Sequence, residues 1–332
     1  MVSRVVRIRM AVVGLSVVAL AGAFYLGRSA NSGAAVSQAG VPTTLSSVQS
    51  KTQPPIVTGN GSNGSLLALG DSVAFGVIPS KVAIARTGNL SIFISYANYV
   101  ASWYHLNLIN LACPGETTAS MINPSAQSNG CENHPHRDRA TGTFTNLPGG
   151  FRTAAPLHVK YSGSQLSAAV SFIRSSNIKL ITLDIGANDL FLCAGEQHGC
   201  TSQSAQSSLI STVTTNLRTI ISTILATGYK GKFVVLDYYS PNYNSPINAR
   251  IVRFDNVIDG VVNGFPNVTL VSGYNAFKTA SASSGGNSCA AKLLLPSANS
   301  LGGTSSCNIH PSYLGHQILA KAIESALGSK LS

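Results

Sequence analysis

From residue 65 onward, short apolar runs alternate with longer stretches in which apolar positions recur every three or four residues. The short runs, Leu66–Leu69, Leu106–Ala112, Leu180–Ile185, Phe233–Leu236 and Val268–Val271, have the length and composition of buried strands. The longer stretches read as amphipathic helices. In SQLSAAVSFIRSS, residues 164–176, Leu166, Ala169, Val170 and Ile173 fall on one helical face. Ser204–Thr227 repeats the pattern with Leu209, Val213, Leu217, Ile220, Ile221 and Ile224, and Gly228 is placed to stop it. Ile247–Val262 carries a weaker version, and Leu314–Leu327 closes the chain. Strands that alternate with helices predict an α/β fold of three layers, a doubly wound and mostly parallel sheet with right-handed crossovers. Asn123–Ser162 is the largest interruption and has few apolar residues; long ordered loops of this kind tend to shape binding sites.

Upstream of residue 65 the pattern changes. Three arginines, Arg4, Arg7 and Arg9, precede an uncharged run of 17 residues, Met10–Leu26. This is the layout of an export signal, with Ala19-Leu20-Ala21 as a small-residue cleavage site. The run is also borderline for an uncleaved membrane anchor, which would leave the rest of the chain outside the cytoplasm with its positive end inside. Residues 1–28 are thus a signal peptide or tether. Residues 29–64, rich in Ser, Gly, Pro, Val and Thr, form a flexible linker, and residues 65–332 form one folded domain.

Charge and cysteine usage sharpen this picture. The chain has a net charge of +11, but Arg4, Arg7, Arg9, Arg28 and Lys51 all precede the first acidic residue, Asp71. Without those five the charge is +6 and forms no cluster, which excludes a nucleic-acid partner. Cys113, Cys131, Cys193, Cys200, Cys289 and Cys307 make an even set in an exported chain and predict three disulfides. Pairing of sequence neighbours, Cys113–Cys131, Cys193–Cys200 and Cys289–Cys307, staples three long loops. The rival reading, zinc held by Cys131, His134 and His136, fits no common zinc spacing.

Candidate chemistry sits where the strands end. LLALGDSVAFG, residues 66–76, delivers Asp71 and Ser72 past the first strand through a turn at Gly70. Open α/β sheets bind ligands at the carboxyl ends of their strands, so Ser72 is either a helix cap or a nucleophile. The second strand leads into NLACPGETT with Gly115, the third into DIGANDL with Gly186, Asn188 and Asp189, and CNIHPSYLGH places His310 before the last helix. Singly these are a turn glycine, a capping asparagine and a loop histidine.

In this order, GDSVAFG, CPGETT, GAND and HPSYLGH resemble the SGNH hydrolases, the GDSL-type esterases and lipases, over residues 66–327. QLSAAVSFIR leading into ITLDIGANDL is similar to secreted bacterial members. The resemblance implies a flavodoxin-like sheet and a serine esterase that needs no cofactor or metal. It casts Ser72 as nucleophile, His310 as general base, and the Ser72 and Gly115 amides with the Asn188 side chain as oxyanion hole. Asp71 then holds the turn. The family's usual aspartate, three residues before the histidine, is here Cys307. The resemblance therefore implies a Ser-His dyad with a backbone carbonyl on the imidazole; Asn308, Asp255 and Asp259 are the other candidates for that position. The loss also leaves open a non-catalytic carbohydrate- or lipid-binding module on a hydrolase fold. Lipid, small acyl or aryl, and acetylated-polysaccharide esters all suit the constellation, and the chain is expected to act as a monomer. SIFISYANYVASWYHL, residues 91–106, has the spacing of a packed helix and the aromatic content of an acyl groove, and packing is the expected role.

Overall fold

The computed structural model describes residues 63–137, 144–196, 199–297 and 307–331. The export segment and nearly all of the linker lie outside the described residues. Among the described residues no helix is long and apolar enough to cross a membrane.

The chain begins with strand β1 (Ser65–Gly70) and a one-turn helix α1 (Ser72–Phe75), followed by α2 (Val82–Ala85), α3 (Tyr96–Trp103), β2 (Asn107–Asn110) and α4 (Thr118–Ile122). A hairpin of β3 (Asn133–Arg137) and β4 (Phe144–Pro148) and the short α5 (Phe151–Ala154) fill the interruption expected as a long loop. Then come α6 (Gln165–Ser175), β5 (Ile178–Asp184), α7 (Ala187–Glu196), α8 (Gln203–Leu225), β6 (Lys232–Leu236), α9 (Pro246–Val262), β7 (Val268–Val271) and α10 (Gly273–Ala280). Two short antiparallel strands, β8 (Leu294–Pro296) and β9 (Cys307–Pro311), precede α11 (Tyr313–Leu327).

Five strands form one parallel sheet in the order β2-β1-β5-β6-β7. The five strands and four long helices expected from periodicity are all present. Only the second strand is clearly shorter than its apolar run, because Leu111 and Ala112 have already left the ladder towards the turn at Gly115. The order is that of flavodoxin-like folds, and it reverses between β1 and β5, where such sheets open a crevice.

The pleat sorts side chains into two layers. Leu66 and Ala68 of β1 pack with Phe75, Tyr96 and Val100 on one face, together with Leu319 and Ile323 of α11. Leu67 and Leu69 pack on the other face with Ala169 of α6, Val213, Leu217 and Ile221 of α8, and Ile258 of α9. Every residue of β1 is buried, as a central parallel strand covered on both faces requires. The segment read as either helix or groove is α3, whose Tyr96, Ala97, Val100 and Ala101 are core residues, while Trp103 at its end is 53% exposed.

Three disulfides join sequence neighbours: Cys113–Cys131, Cys193–Cys200 and Cys289–Cys307. The first lies in the core beside Glu116; the other two fasten α7 to the start of α8 and the β8–β9 region to the segment after α10. Cys131, Glu116 and Cys113 have ligand atoms close together, but both sulfurs are consumed in the disulfide, so the trio offers no thiolate to a metal. His134 and His136 sit exposed on β3 and bring no histidine to Cys131.

Candidate active site

The position of Ser72 is built by backbone constraint. Gly70 ends β1 with φ +135°, and a Cβ there would stand 2.1 Å from the Asp184 carbonyl oxygen, so only glycine lets β1 and β5 close at this point. Gln165 clamps the same residue, accepting from the Gly70 N–H at 2.6 Å and donating to its carbonyl at 3.0 Å. The chain turns at Asp71, whose Oδ1 accepts from the Val73 N–H at 2.9 Å and caps α1. Asp71 therefore holds the turn, and Ser72 emerges at the first position of α1, half-buried at the crevice between β1 and β5.

His310 arrives from the far end of the chain. Its Nε2 lies 2.9 Å from Ser72 Oγ, and its Nδ1 is in a short hydrogen bond to Asn308 Oδ1. The same amide oxygen accepts from the His310 N–H at 3.0 Å. The strand around it is held from below by the Tyr239 hydroxyl, which donates to the Ile309 carbonyl at 2.6 Å. A side-chain amide oxygen can only accept, so Nδ1 carries the ring proton and Nε2 presents a lone pair to the serine hydroxyl. That is the tautomer a general base needs. The orienting acceptor is thus the Asn308 side chain, in place of the backbone carbonyl anticipated from the resemblance.

No carboxylate reaches His310 among the described residues. Asp255 is buried on α9 and accepts from the Tyr238 N–H at 3.1 Å. Asp259 lies one turn further along the same helix. Desolvation alone lowers the His310 pKa, to about 4, with no opposing anion to raise it.

The three oxyanion candidates face the same crevice end. Gly115 follows β2 with φ +84°, and a Cβ there would stand 2.6 Å from the Asn129 carbonyl oxygen. The N–H groups of Ser72 and Gly115 donate to no acceptor among the described residues. Asn188 is buried at the start of α7; its Nδ2 points at Asp71 Oδ2, 3.3 Å away, and its Oδ1 accepts from Asn129 Nδ2 at 2.9 Å. One proton of that NH2 group is left over.

Beneath the site lies a buried acid pair. Asp71 also accepts from the Tyr238 hydroxyl at 2.9 Å, and Asp184 accepts from the Tyr96 hydroxyl at 2.6 Å. Burial raises the Asp71 pKa to about 6 against the hydrogen bonds from Val73 and Tyr238; burial and the Asp71 charge push Asp184 well above the usual range. Asp71 is therefore the more acidic of the pair, its charge stabilised by the Val73 N–H and the Tyr238 hydroxyl, and that charge pushes Asp184 further up. Asp189 knits two of the motif blocks together by accepting from the Thr118 N–H at 2.9 Å and the Thr118 hydroxyl at 2.6 Å.

All four motif blocks therefore meet at one end of the sheet. Sequence reasoning did not find Asp184, Tyr238 or Asn129. Asp184 stood inside the quoted DIGANDL, and its position as the last residue of β5 was the available signal; Tyr238 and Asn129 carried none.

No model of a protein family matches the chain, and no curated protein sequence matches it. Solved structures are similar to it at low identity. An acetylxylan esterase, Axe2 from Geobacillus stearothermophilus, superimposes with a TM-score of 0.46 at 17% identity, over 81% of this chain and 95% of that one. The lipase Lip_vut3 from a goat rumen metagenome gives 0.46 at 14% identity, over 80% and 98%. A family 3 carbohydrate esterase of Clostridium thermocellum gives 0.36 at 14% identity, over 80% and 94%. Likeness at this level concerns the arrangement of strands and helices; the site is read from its own geometry.

Proposed function

We propose that the chain is an extracytoplasmic serine esterase of the SGNH type. The observation that carries this reading is His310 Nε2 at 2.9 Å from Ser72 Oγ, in the basic tautomer, beside three unused N–H donors.

In the proposed reaction Ser72 Oγ attacks the acyl carbon of a carboxylic ester while His310 Nε2 takes the hydroxyl proton. The carbonyl oxygen becomes an oxyanion and accepts from the Ser72 and Gly115 N–H groups and from the spare Asn188 Nδ2 proton. Donors aimed at charge that develops only in the transition state are worth roughly 100- to 1000-fold each. The intermediate collapses, the alcohol leaves with the proton from His310, and an acyl-enzyme remains on Ser72. Water then attacks the acyl carbon, losing a proton to His310, and the acid departs as His310 returns that proton to Ser72 Oγ. No step requires a metal or organic cofactor.

Three disulfides suit an oxidising compartment, and the arginine-led apolar segment at the N-terminus supports export. The substrates we propose are esters of lipids, small acyl groups or acetylated polysaccharides, acted on by a monomer.

The test is turnover of p-nitrophenyl acetate and longer acyl esters by the purified domain, with Ser72→Ala beside it. We expect Ser72→Ala to abolish turnover without loss of fold, and a serine-directed phosphonate to label Ser72 alone. Full activity of the alanine variant would remove Ser72 as the nucleophile, and glycan or lipid binding with no turnover by the wild type would replace this reading with the binding module.

A further inference from the structure

We infer that Asn129, carried by the long insertion after β2, is the positioning residue that sets the orientation of the oxyanion hole. The inference rests on the esterase reading above and names a residue that none of the four motif blocks contains.

The argument starts from the Asn188 carboxamide, which can sit in either of two orientations a half-turn apart. Only one places hydrogen towards a substrate oxyanion; the other places a carbonyl oxygen there and repels it. Two neighbours decide between them. Asp71 Oδ2 lies 3.3 Å from one end of the amide, and as the ionised member of the acid pair it can only accept, so that end must be Nδ2. The opposite end is then Oδ1 and needs a donor. Asn129 Nδ2 supplies it at 2.9 Å. A carboxylate on one side and an amide N–H on the other hold the same orientation.

Asn129 also reaches the second donor. Its N–H donates to the Gly115 carbonyl at 2.7 Å, and its own carbonyl fills the space that a Gly115 side chain would need. That bond fixes the peptide that follows Gly115, across its Cα from the one that carries its N–H. A single residue therefore braces the turn that carries a backbone donor through its main chain and orients a side-chain donor through its amide. Asn129 itself is pinned two residues before Cys131, whose disulfide to Cys113 ties the insertion to the end of β2. Ser128 adds to the anchor, accepting from the Cys131 N–H at 3.1 Å and donating to the Asn133 carbonyl at 2.6 Å.

Hydrogen-bond chemistry and packing predict opposite orders for two substitutions, which makes the inference testable. Asn129→Asp keeps the shape but turns the donor into an acceptor that competes for Asn188 Nδ2. Asn129→Ala removes side-chain bulk and leaves Asn188 held by Asp71 alone. If Asn129 orients the amide, kcat falls about 100-fold or more in Asn129→Asp, on the order of losing an oxyanion donor, and about 10-fold in Asn129→Ala, with KM little changed in both. Asn129→Asp should recover part of its loss as pH falls and the new carboxyl, once protonated, donates again. If Asn129 only fills space, the alanine variant is the worse of the two and neither shows that pH dependence; this result overturns the inference. The 15N side-chain resonances of Asn188, assigned through Asn188→Ala, give a readout that needs no turnover. A changed Asn188 amide signal in Asn129→Asp supports the orientation role even if Ser72→Ala shows the esterase reading to be wrong, and an unchanged signal refutes it.

Discussion

At the scale of single residues, the Asn308 amide takes the place of a carboxylate, and this has a price in basicity. An amide oxygen fixes the ring tautomer but adds no charge to stabilise imidazolium, and burial lowers the His310 pKa to about 4. Burial thus favours the basic form of His310 down to low pH, and for the proposed esterase the acid limb of kcat/KM should lie near pH 4. Asn308→Asp places a negative charge on Nδ1, so the His310 pKa rises and that limb should move up by a pH unit or more. A pH–rate profile that does not move would show that residue 308 does not act on the imidazole. Asn308→Ala releases the tautomer and should lower kcat roughly 10- to 100-fold, short of the ~10,000-fold that misorienting a triad histidine costs. Asp255→Asn and Asp259→Asn should cost little in rate, because neither carboxylate bonds to the ring; a loss of about 1000-fold in a folded variant would make one of them a true third member. Much of this was legible in the sequence. Ser72, Gly115, Asn188 and His310 stand in motif blocks at strand ends, and an asparagine two residues before a histidine is placed to bond the backbone two positions on. Asn129 was not legible, because it lies 59 residues from the amide it touches and nothing local marks it.

At the scale of elements, two disulfides of equal loop length do different jobs. Cys113–Cys131 and Cys289–Cys307 each span a sequence separation of 18, so the chain-entropy contribution should be nearly the same. They differ in surroundings. Cys113 and Cys131 are fully buried next to Asn129 and Glu116, whereas Cys307 is only partly buried at the start of β9, three residues before His310. Replacing the first pair by alanines should therefore lower the thermal midpoint more than replacing the second, since it also removes core contacts. Replacing the second pair should chiefly lower kcat of the proposed esterase by loosening the strand that carries His310. Equal midpoints for the two double variants, measured by thermal unfolding, would refute the first expectation. The elements also divide by how well the sequence revealed them. Strands covered on both faces and long amphipathic helices have a period to read; β1, α6, α8 and α11 all followed it. The β3–β4 hairpin did not, because Asn133–Arg137 is polar, contains Pro135 and shows no apolar alternation, and its place is set by the disulfide and by Ser128 rather than by burial.

At the scale of the whole molecule, the buried titratable groups set how stability depends on pH. Asp255 is raised to about 8 by burial and the nearby Asp237, and Asp184 and Glu116 are raised well above their usual range by burial and a neighbouring carboxylate. The folded chain therefore holds protons that the unfolded chain, with carboxyl pKa values near 4, has released. Stability rises as pH falls wherever the folded state binds more protons, so the thermal midpoint should climb from pH 8.5 to pH 6.5. Below that, Asp71, Asp189 and Asp237, each raised to about 6, add to the gain. His310 and His316, lowered by burial to about 4 and about 3, oppose it, because only their unfolded forms take up protons there. The curve should flatten on the acid side. A midpoint that falls steadily from pH 8.5 to 6.5, at fixed ionic strength and without reductant, would contradict the buried acids.

The span of 238 residues between Ser72 and His310 bears on how the protein is made. All five strands of the parallel sheet lie between Ser65 and Val271, so the scaffold with its serine is already synthesised before the histidine emerges. A nascent or prematurely terminated chain that stops short of β9 holds the proposed nucleophile and oxyanion donors yet lacks the proposed base. On the proposed esterase reading such a product is chemically unarmed, and the last stretch of translation acts as a safety catch on the chemistry.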